Sequence, residues 1–411
     1  MKKKQQLEIT TLKNGLKILF YKTNNFATNI SIIANTIESN YPNTKPGTAH
    51  FLEHLILEAS EKYPNEEAIE FAIHKYGGNI NAATSNKFTM FTVNILNKHF
   101  KKGLDVLANC IQKPLLLDKD IKKERKVILN EVILQDENFE EQMDLKLIPA
   151  SYTNSPFSTS IIGNKKTIKS ISKQDLLNFY QKTYIPNNMF VIIIGNIKNP
   201  VKLIEKKFVF KKQKLKKTIL PVKFKQLNKT LKLTSNLVDS TKGIMLYDSK
   251  NLDNQHVFAS TIFCHILDRY KGGTLSNKLR NKFSIYDFSI FKLRTKKHSA
   301  ILFNFSIRDT NPIKIFKEIH STIKNINLTE KEFDELKIYY ESTMQMYLDQ
   351  PKILSQILID YETNGLDPRT HFLITEKLKK LTLKDFNKIK DYFKKPNKLI
   401  LTKKGKLANS F

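Results

Sequence analysis

Two histidines and a glutamate fall within five residues in the stretch GTAHFLEHLILEAS: His50, Glu53 and His54. If residues 49–59 are helical, the imidazoles are four apart and share a face. Two imidazoles so placed can share a divalent metal, and Glu53 projects beside the same point. Zinc suits such ligands, and a catalytic site needs three of them plus an open position for water. Bound zinc brings the pKa of that water to about 7, within reach of a carboxylate base such as Glu53. The order is HxxEH, the inverse of the commoner HExxH. The plain alternative is a pair of surface histidines on a helix.

A third ligand must come from elsewhere, and KKERKVILNEVILQDENFEEQMD (residues 122–144) offers carboxylates. Glu124 and Glu131 are two turns apart and share a helix face. Acids on a helix more often form its solvated side, so this segment alone does not identify a site. The run Asp136, Glu137, Glu140, Glu141 and Asp144 has two readings. It either makes a substrate space negative, predicting a preference for basic peptides, or is a solvated face.

The elements that must carry these residues repeat along the chain. SISKQDLLNFYQKTYIPNNMFVIIIGN (170–196) aligns without a gap on KLTLKDFNKIKDYFKKPNKLILTKKGK (380–406), a shift of 210 residues. Ser172 meets Thr382, Asp175 meets Asp385, Pro186 meets Pro396 and Gly195 meets Gly405. Each copy reads as a Ser/Thr N-cap with an acid at the third position, an amphipathic helix, a proline turn and a β-rich run. A period near half the chain means a duplicated domain, since solenoid repeats are far shorter. The expected fold is α+β: two tandem duplicated domains, each an antiparallel-rich sheet packed with helices. Boundaries are expected at 1–205 for the zinc-binding domain, 206–229 for a lysine-rich linker and 230–411 for the second repeat.

Bulk properties agree with that size. A chain of 411 residues with 40% hydrophobic content can build two cores. No apolar run reaches the roughly 18 residues of a membrane span. The net charge of +30 comes mainly from lysine, is spread along the chain, and accompanies no basic-aromatic motif. Nucleic acid is therefore not an expected partner. Cys110 and Cys264 offer no disulfide framework, and the N-terminus lacks an apolar leader; a cytoplasmic location is the expectation.

The chain resembles the M16 (pitrilysin) metallopeptidases, in particular the short M16B class of mitochondrial processing peptidase and bacterial relatives. In that family HxxEH is followed after 76 intervening residues by a glutamate ligand, a count that lands on Glu131, with an acid seven residues earlier where Glu124 stands. The resemblance implies the LuxS/M16 metallohydrolase-like fold and one zinc per chain on His50, His54 and Glu131. It makes Glu53 the base and Glu124 a supporting acid. GGNINAATSNKFTMF (77–91) resembles the family's edge-strand segment, implying that Asn81 and Ala82 hold an extended substrate by β-augmentation. LRNKFSIYDF resembles the family's LR…GLAY stretch, implying that Arg280 and Tyr286 bind substrate, although the spacing is one residue shorter. KGGTLSNKL (271–279) matches either the family's glycine-rich loop or an ordinary turn.

At the shift of 210, Glu131 meets Glu341, but His50, Glu53 and His54 meet Ser260, Phe263 and Cys264, so the second half is expected to lack metal. The resemblance implies a zinc endopeptidase acting on peptides or small proteins, as a homodimer or with a second M16 subunit. A non-catalytic partner or scaffold of the same family is the alternative. A small LuxS-type lyase is excluded by length.

Overall fold

A computed structural model describes residues 7–404 except 42, 211–212, 220, 250–253, 269–273, 286, 296–297 and 309. Five strands open the chain: β1 (Leu7–Thr11), β2 (Lys17–Lys22), β3 (Ala27–Ala34), β4 (Asn79–Thr84) and β5 (Thr89–Leu96). After a two-residue β6 (Tyr152–Thr153), β7 (Met189–Gly195) completes a six-stranded sheet ordered β1-β2-β7-β3-β5-β4. The run MFVIIIG in β7 is buried at every position, as a central strand covered on both faces requires. β4 lies at the edge and alternates exposed and half-buried residues.

The second half repeats this plan. β8 (Lys223–Phe224), in the lysine-rich segment, pairs with β6; then come β9 (Leu231–Ser235), β10 (Thr241–Asp248), β11 (Phe288–Thr295), β12 (His298–Ile307) and β13 (Asn397–Lys403). Their sheet order is β9-β13-β10-β12-β11. β2 pairs parallel with β7, as β9 does with β13, and the remaining pairs of both five-strand sets are antiparallel. The duplication extends to register: Ala82 pairs with Phe91, and Lys292, 210 residues on, pairs with Ile301.

Five helices matter for the site: α1 (Thr48–Ile56), α2 (Glu66–His74), α3 (Phe100–Gln112), α4 (Asp118–Glu137) and α5 (Phe139–Ser151). The first four pack with one face of the first sheet around Phe51, Leu52, Ile73, Phe91, Leu104 and Ile128. The opposite face, with Leu19, Ile33, Ile192 and Ile194, is covered by Leu354, Leu358 and Ile359 from the Pro351–Thr363 helix of the second half. Reciprocally, Met143, Leu147 and Ile148 of α5 cover Ile244, Leu246, Leu302 and Leu399 of the second sheet. Each half thus lends a helix to the other's sheet. The polar contacts Ser31 Oγ to Ser355 Oγ (3.1 Å) and Lys17 Nζ to Glu362 (2.7 Å) join the same surfaces.

Following the lent helix, His371 is buried with neither ring nitrogen hydrogen-bonded, and Phe372 stacks on Tyr21 at 4.8 Å. Burial pushes His371 from its ordinary 6.5 down to about 4. A depressed histidine keeps its full contribution to stability above 6.5 and loses it as pH falls from there to the folded value, because in that window only the unfolded chain takes up the proton. Urea denaturation should therefore show stability falling between about pH 6.5 and 4, with a flatter profile in His371→Phe; an unchanged slope in the variant would contradict this.

Candidate metal centre

α1 begins where the backbone allows it. Gly47 is left-handed (φ 92°), and a Cβ there would lie 2.6 Å from Ile168 Cδ1 and 2.8 Å from Ile162 O. Only glycine fits such a position without strain. The helix has no side-chain N-cap of its own; Glu38, 11 residues before Ala49, accepts hydrogen bonds from the amides of Ala49 (2.8 Å) and Gly47 (3.3 Å). Burial raises its carboxyl to about 7 even against these bonds. Phe51, Leu52, Leu55 and Ile56 anchor the helix in the core, leaving His50, Glu53 and His54 half-buried on the other side.

α4 buries a stripe of Ile121, Glu124, Ile128, Val132 and Gln135. Three consecutive residues of α4 grip α1 and the turn that follows it. Lys123 donates to Glu58 at 2.8 and 3.0 Å. Glu124 Oε2 lies 2.8 Å from His54 Nδ1. The Arg125 guanidinium stacks 5.1 Å over the Phe51 ring while donating to Ile171 O at 2.7 Å and to Ile168 O. Two turns beyond Glu124, Glu131 reaches the imidazoles: its oxygens lie 3.7 Å from His50 Nε2 and 3.8 Å from His54 Nε2.

The two Nε2 atoms face each other at 3.3 Å, and one ligand atom from each of His50, His54 and Glu131 falls within 4.8 Å of the others. These three donors fit a zinc ion. His50 Nδ1 is buried without a hydrogen-bond partner, so Nε2 is its outward nitrogen. Burial and the neighbouring His54 lower His50 to about 3, favouring the neutral imidazole that a metal needs. His54 is shifted upward: burial opposes its charged form, but the Glu124 hydrogen bond and the charges of Glu53, Glu131 and Glu124 outweigh it. With the Nδ1 proton directed at Glu124, the Nε2 lone pair points to the cluster. Glu124 itself is held low: burial raises it, and His54 and Lys123 more than compensate.

Glu53 is not among the three. Burial raises its carboxyl against hydrogen bonds from Thr84, whose Oγ1 at the end of β4 donates to Oε2 at 2.7 Å. Asn81 is exposed and Ala82 half-buried on the same edge strand. Arg280 is exposed on the Thr274–Phe283 helix, while Tyr286 and the glycines of KGGTLSNKL lie outside the described residues. Ser260, Phe263 and Cys264 are buried, and Glu341 accepts from Thr375 and Gln345. Among the described residues no second three-ligand group forms.

Sequence reasoning assigned no role to Thr84, Glu38 or Lys123. Thr84 was within reach, since it follows Ala82 at a spacing of two and must share its face. Glu38 and Lys123 carry no local signal.

Residues 31–165 match the family described as insulinase (peptidase family M16), and residues 170–340 match the peptidase M16 inactive domain. An uncharacterized zinc protease of Rickettsia felis is 29% identical over 225 residues, 54% of each chain. A probable mitochondrial-processing peptidase subunit beta of Arabidopsis thaliana is 31% identical over 199 residues, 47% of this chain and 36% of that one. The chain thus spans about half or less of these two relatives. A protease from Helicobacter pylori superposes with a TM-score of 0.86 at 19% identity, covering 97% of this chain and 99% of that one, a likeness of fold.

Removing the charge that orients His54 should weaken metal binding without removing a ligand. Glu124→Gln is expected to lower zinc affinity by about 10- to 100-fold in competition with a chromophoric chelator; unchanged affinity would show that Glu124 plays no part in holding the site.

Proposed function

The chain belongs to peptidase family M16, and from that premise we propose that it is a zinc metalloendopeptidase acting through the first-half cluster. The observation that carries this reading is the convergence of His50 Nε2, His54 Nε2 and a Glu131 oxygen within 4.8 Å, with the Glu53 carboxylate on the intervening turn. His50, His54 and Glu131 would hold the ion, and Glu124 would fix the His54 tautomer. Bound zinc would supply Lewis-acid polarisation and a water acidified to about pKa 7.

The chain's own residues perform the rest. Glu53, steadied by Thr84, takes the proton of the attacking water and returns it to the departing amine. β4 has one unpaired edge, so an extended peptide can add to it as another strand, gripped by main-chain hydrogen bonds along Asn81 and Ala82. Because Thr84 ends β4 and touches Glu53, a peptide seated there runs past the base.

Substrate preference follows from α5. Asp144 is largely enclosed, has one oxygen without a hydrogen-bond partner, and is pushed up to about 7 by burial and then by Glu140 and Glu141. Glu140, Glu141 and Asp144 gather three acids on this one helix, so a preference for basic peptides is proposed. Relatives named as beta subunits motivate a second proposal: the chain works with another M16 subunit or a second copy.

Glu53→Gln should keep one equivalent of zinc by elemental analysis and lose kcat by about 10²- to 10⁴-fold, while His54→Ala should lose the metal. Full turnover in the first variant, or stoichiometric zinc in the second, would sink the mechanism. In wild type, matched peptide pairs should be cleaved faster when basic than when acidic; equal rates would remove the role given to α5.

A further inference from the structure

The second half holds charge where the first is built to hold a metal. On β11, Lys292 and Arg294 occupy the positions that Ala82 and Thr84 occupy on β4, at the shift of 210 and in the same register with the neighbouring strand. Phe288 and Ile290, of the same parity, pack into the second half's core, so Lys292 and Arg294 continue along that face. There Lys292 is within electrostatic reach of Cys264, the counterpart of His54, and Arg294 holds the position from which Thr84 on β4 meets Glu53. The dead site therefore carries two cationic side chains beside it.

A third cation joins them from the first half. Lys87 lies in the β4–β5 turn, three residues past Thr84, with Nζ 3.7 Å from Asp360 Oδ1 and donating to Asn364 Oδ1 at 3.0 Å. Asp360 acts on all three cations, Arg294 also feels the Tyr361 hydroxyl, and Lys87 and Lys292 are each disfavoured by Arg294. One carboxylate thus serves three cations. Among the described residues Lys292 and Arg294 make no hydrogen bond or ion pair. Desolvation lowers the pKa of Lys292, and Cys264 and Asp360 offset it only in part. Cations left unpaired in such surroundings are a functional-site signal.

We propose that Lys292, Arg294 and Lys87 form an anion site that captures a carboxylate of the bound peptide, its C-terminus or a terminal acidic side chain. The site rests on the peptidase reading for its ligand and begins at the tight turn that closes β4, where Lys87 stands three residues past Thr84. A peptide leaving β4 past Glu53 meets it next, and its two excess positive charges accept one carboxylate. Acidic residues of α5 and cations of β11 then give the substrate space two poles, which orient a peptide with a basic body and a free acid end.

The test is lysine footprinting of the zinc-loaded Glu53→Gln chain with an acylating reagent, read at Lys292 and Lys87 by mass spectrometry. Three probes are compared: a basic decapeptide with a free C-terminus, its C-terminal amide, and an amide ending in glutamate. The free acid should protect Lys292 at a concentration about tenfold lower than the amide, the weight of one charge-assisted contact. Arg294→Gln, checked for retained zinc, should abolish that difference. Protection by the glutamate amide equal to that of the free acid assigns a side-chain source; weaker protection assigns the C-terminus. Equal protection by acid and amide, or none by either, overturns the proposal. Because the footprint needs no turnover, failure of the peptidase reading shows separately, as absence of zinc-dependent cleavage by wild type.

Discussion

Glu124 accepts a hydrogen bond from His54 at 2.8 Å, and much of the molecule is arranged so that it can. A carboxylate there fixes the tautomer of the imidazole, which decides where its lone pair points. The two groups belong to helices 70 residues apart in sequence, so α1 and α4 must hold their relative rotation to within a fraction of an ångström. The clamp of Lys123, Glu124 and Arg125 on Glu58, His54 and Phe51 does this with three contacts of different kinds. Once α4 is set against α1, Glu131 follows two turns later on the same face, and the ligand set closes.

The sheet supplies the other half of that constraint. α1 rests on the first sheet through Phe51, Leu52 and Leu55, while β4 runs beside it to bring Thr84 to Glu53. The sheet is fixed from behind by a helix of the opposite half, and α5 returns the same service. This exchange packs the two halves together through shared cores rather than leaving them joined only by a linker. It also gives the second half a structural part: Leu354, Leu358 and Ile359 are core residues of the sheet that carries the candidate metal centre.

Legibility in the sequence followed range. His50, Glu53 and His54 were readable because a helix turns at a fixed period, and the duplicated plan because the shift of 210 preserves caps, prolines and strand positions. Glu131 needed the family resemblance, since nothing in its own segment separates a ligand from a solvated acid. The Thr84 bond to Glu53 and the Glu38 cap on α1 were invisible for a different reason: each joins residues whose proximity exists only after the sheet has formed. The exchange of helices was hidden likewise, because the apolar stripe of 351–363 says that something is covered and not which sheet. Lys292 and Arg294 read as two more charges in a lysine-rich chain until their register with β4 gave them a place.

Every role given to the first half depends on one metal binding there between two imidazoles and a carboxylate. Anomalous X-ray scattering at the zinc edge from crystals of the zinc-loaded chain tests it directly. A single peak per chain is expected, within coordination distance of His50 Nε2, His54 Nε2 and a Glu131 oxygen. A peak elsewhere, a second peak beside Cys264 and Glu341, or no peak at full zinc loading would contradict it.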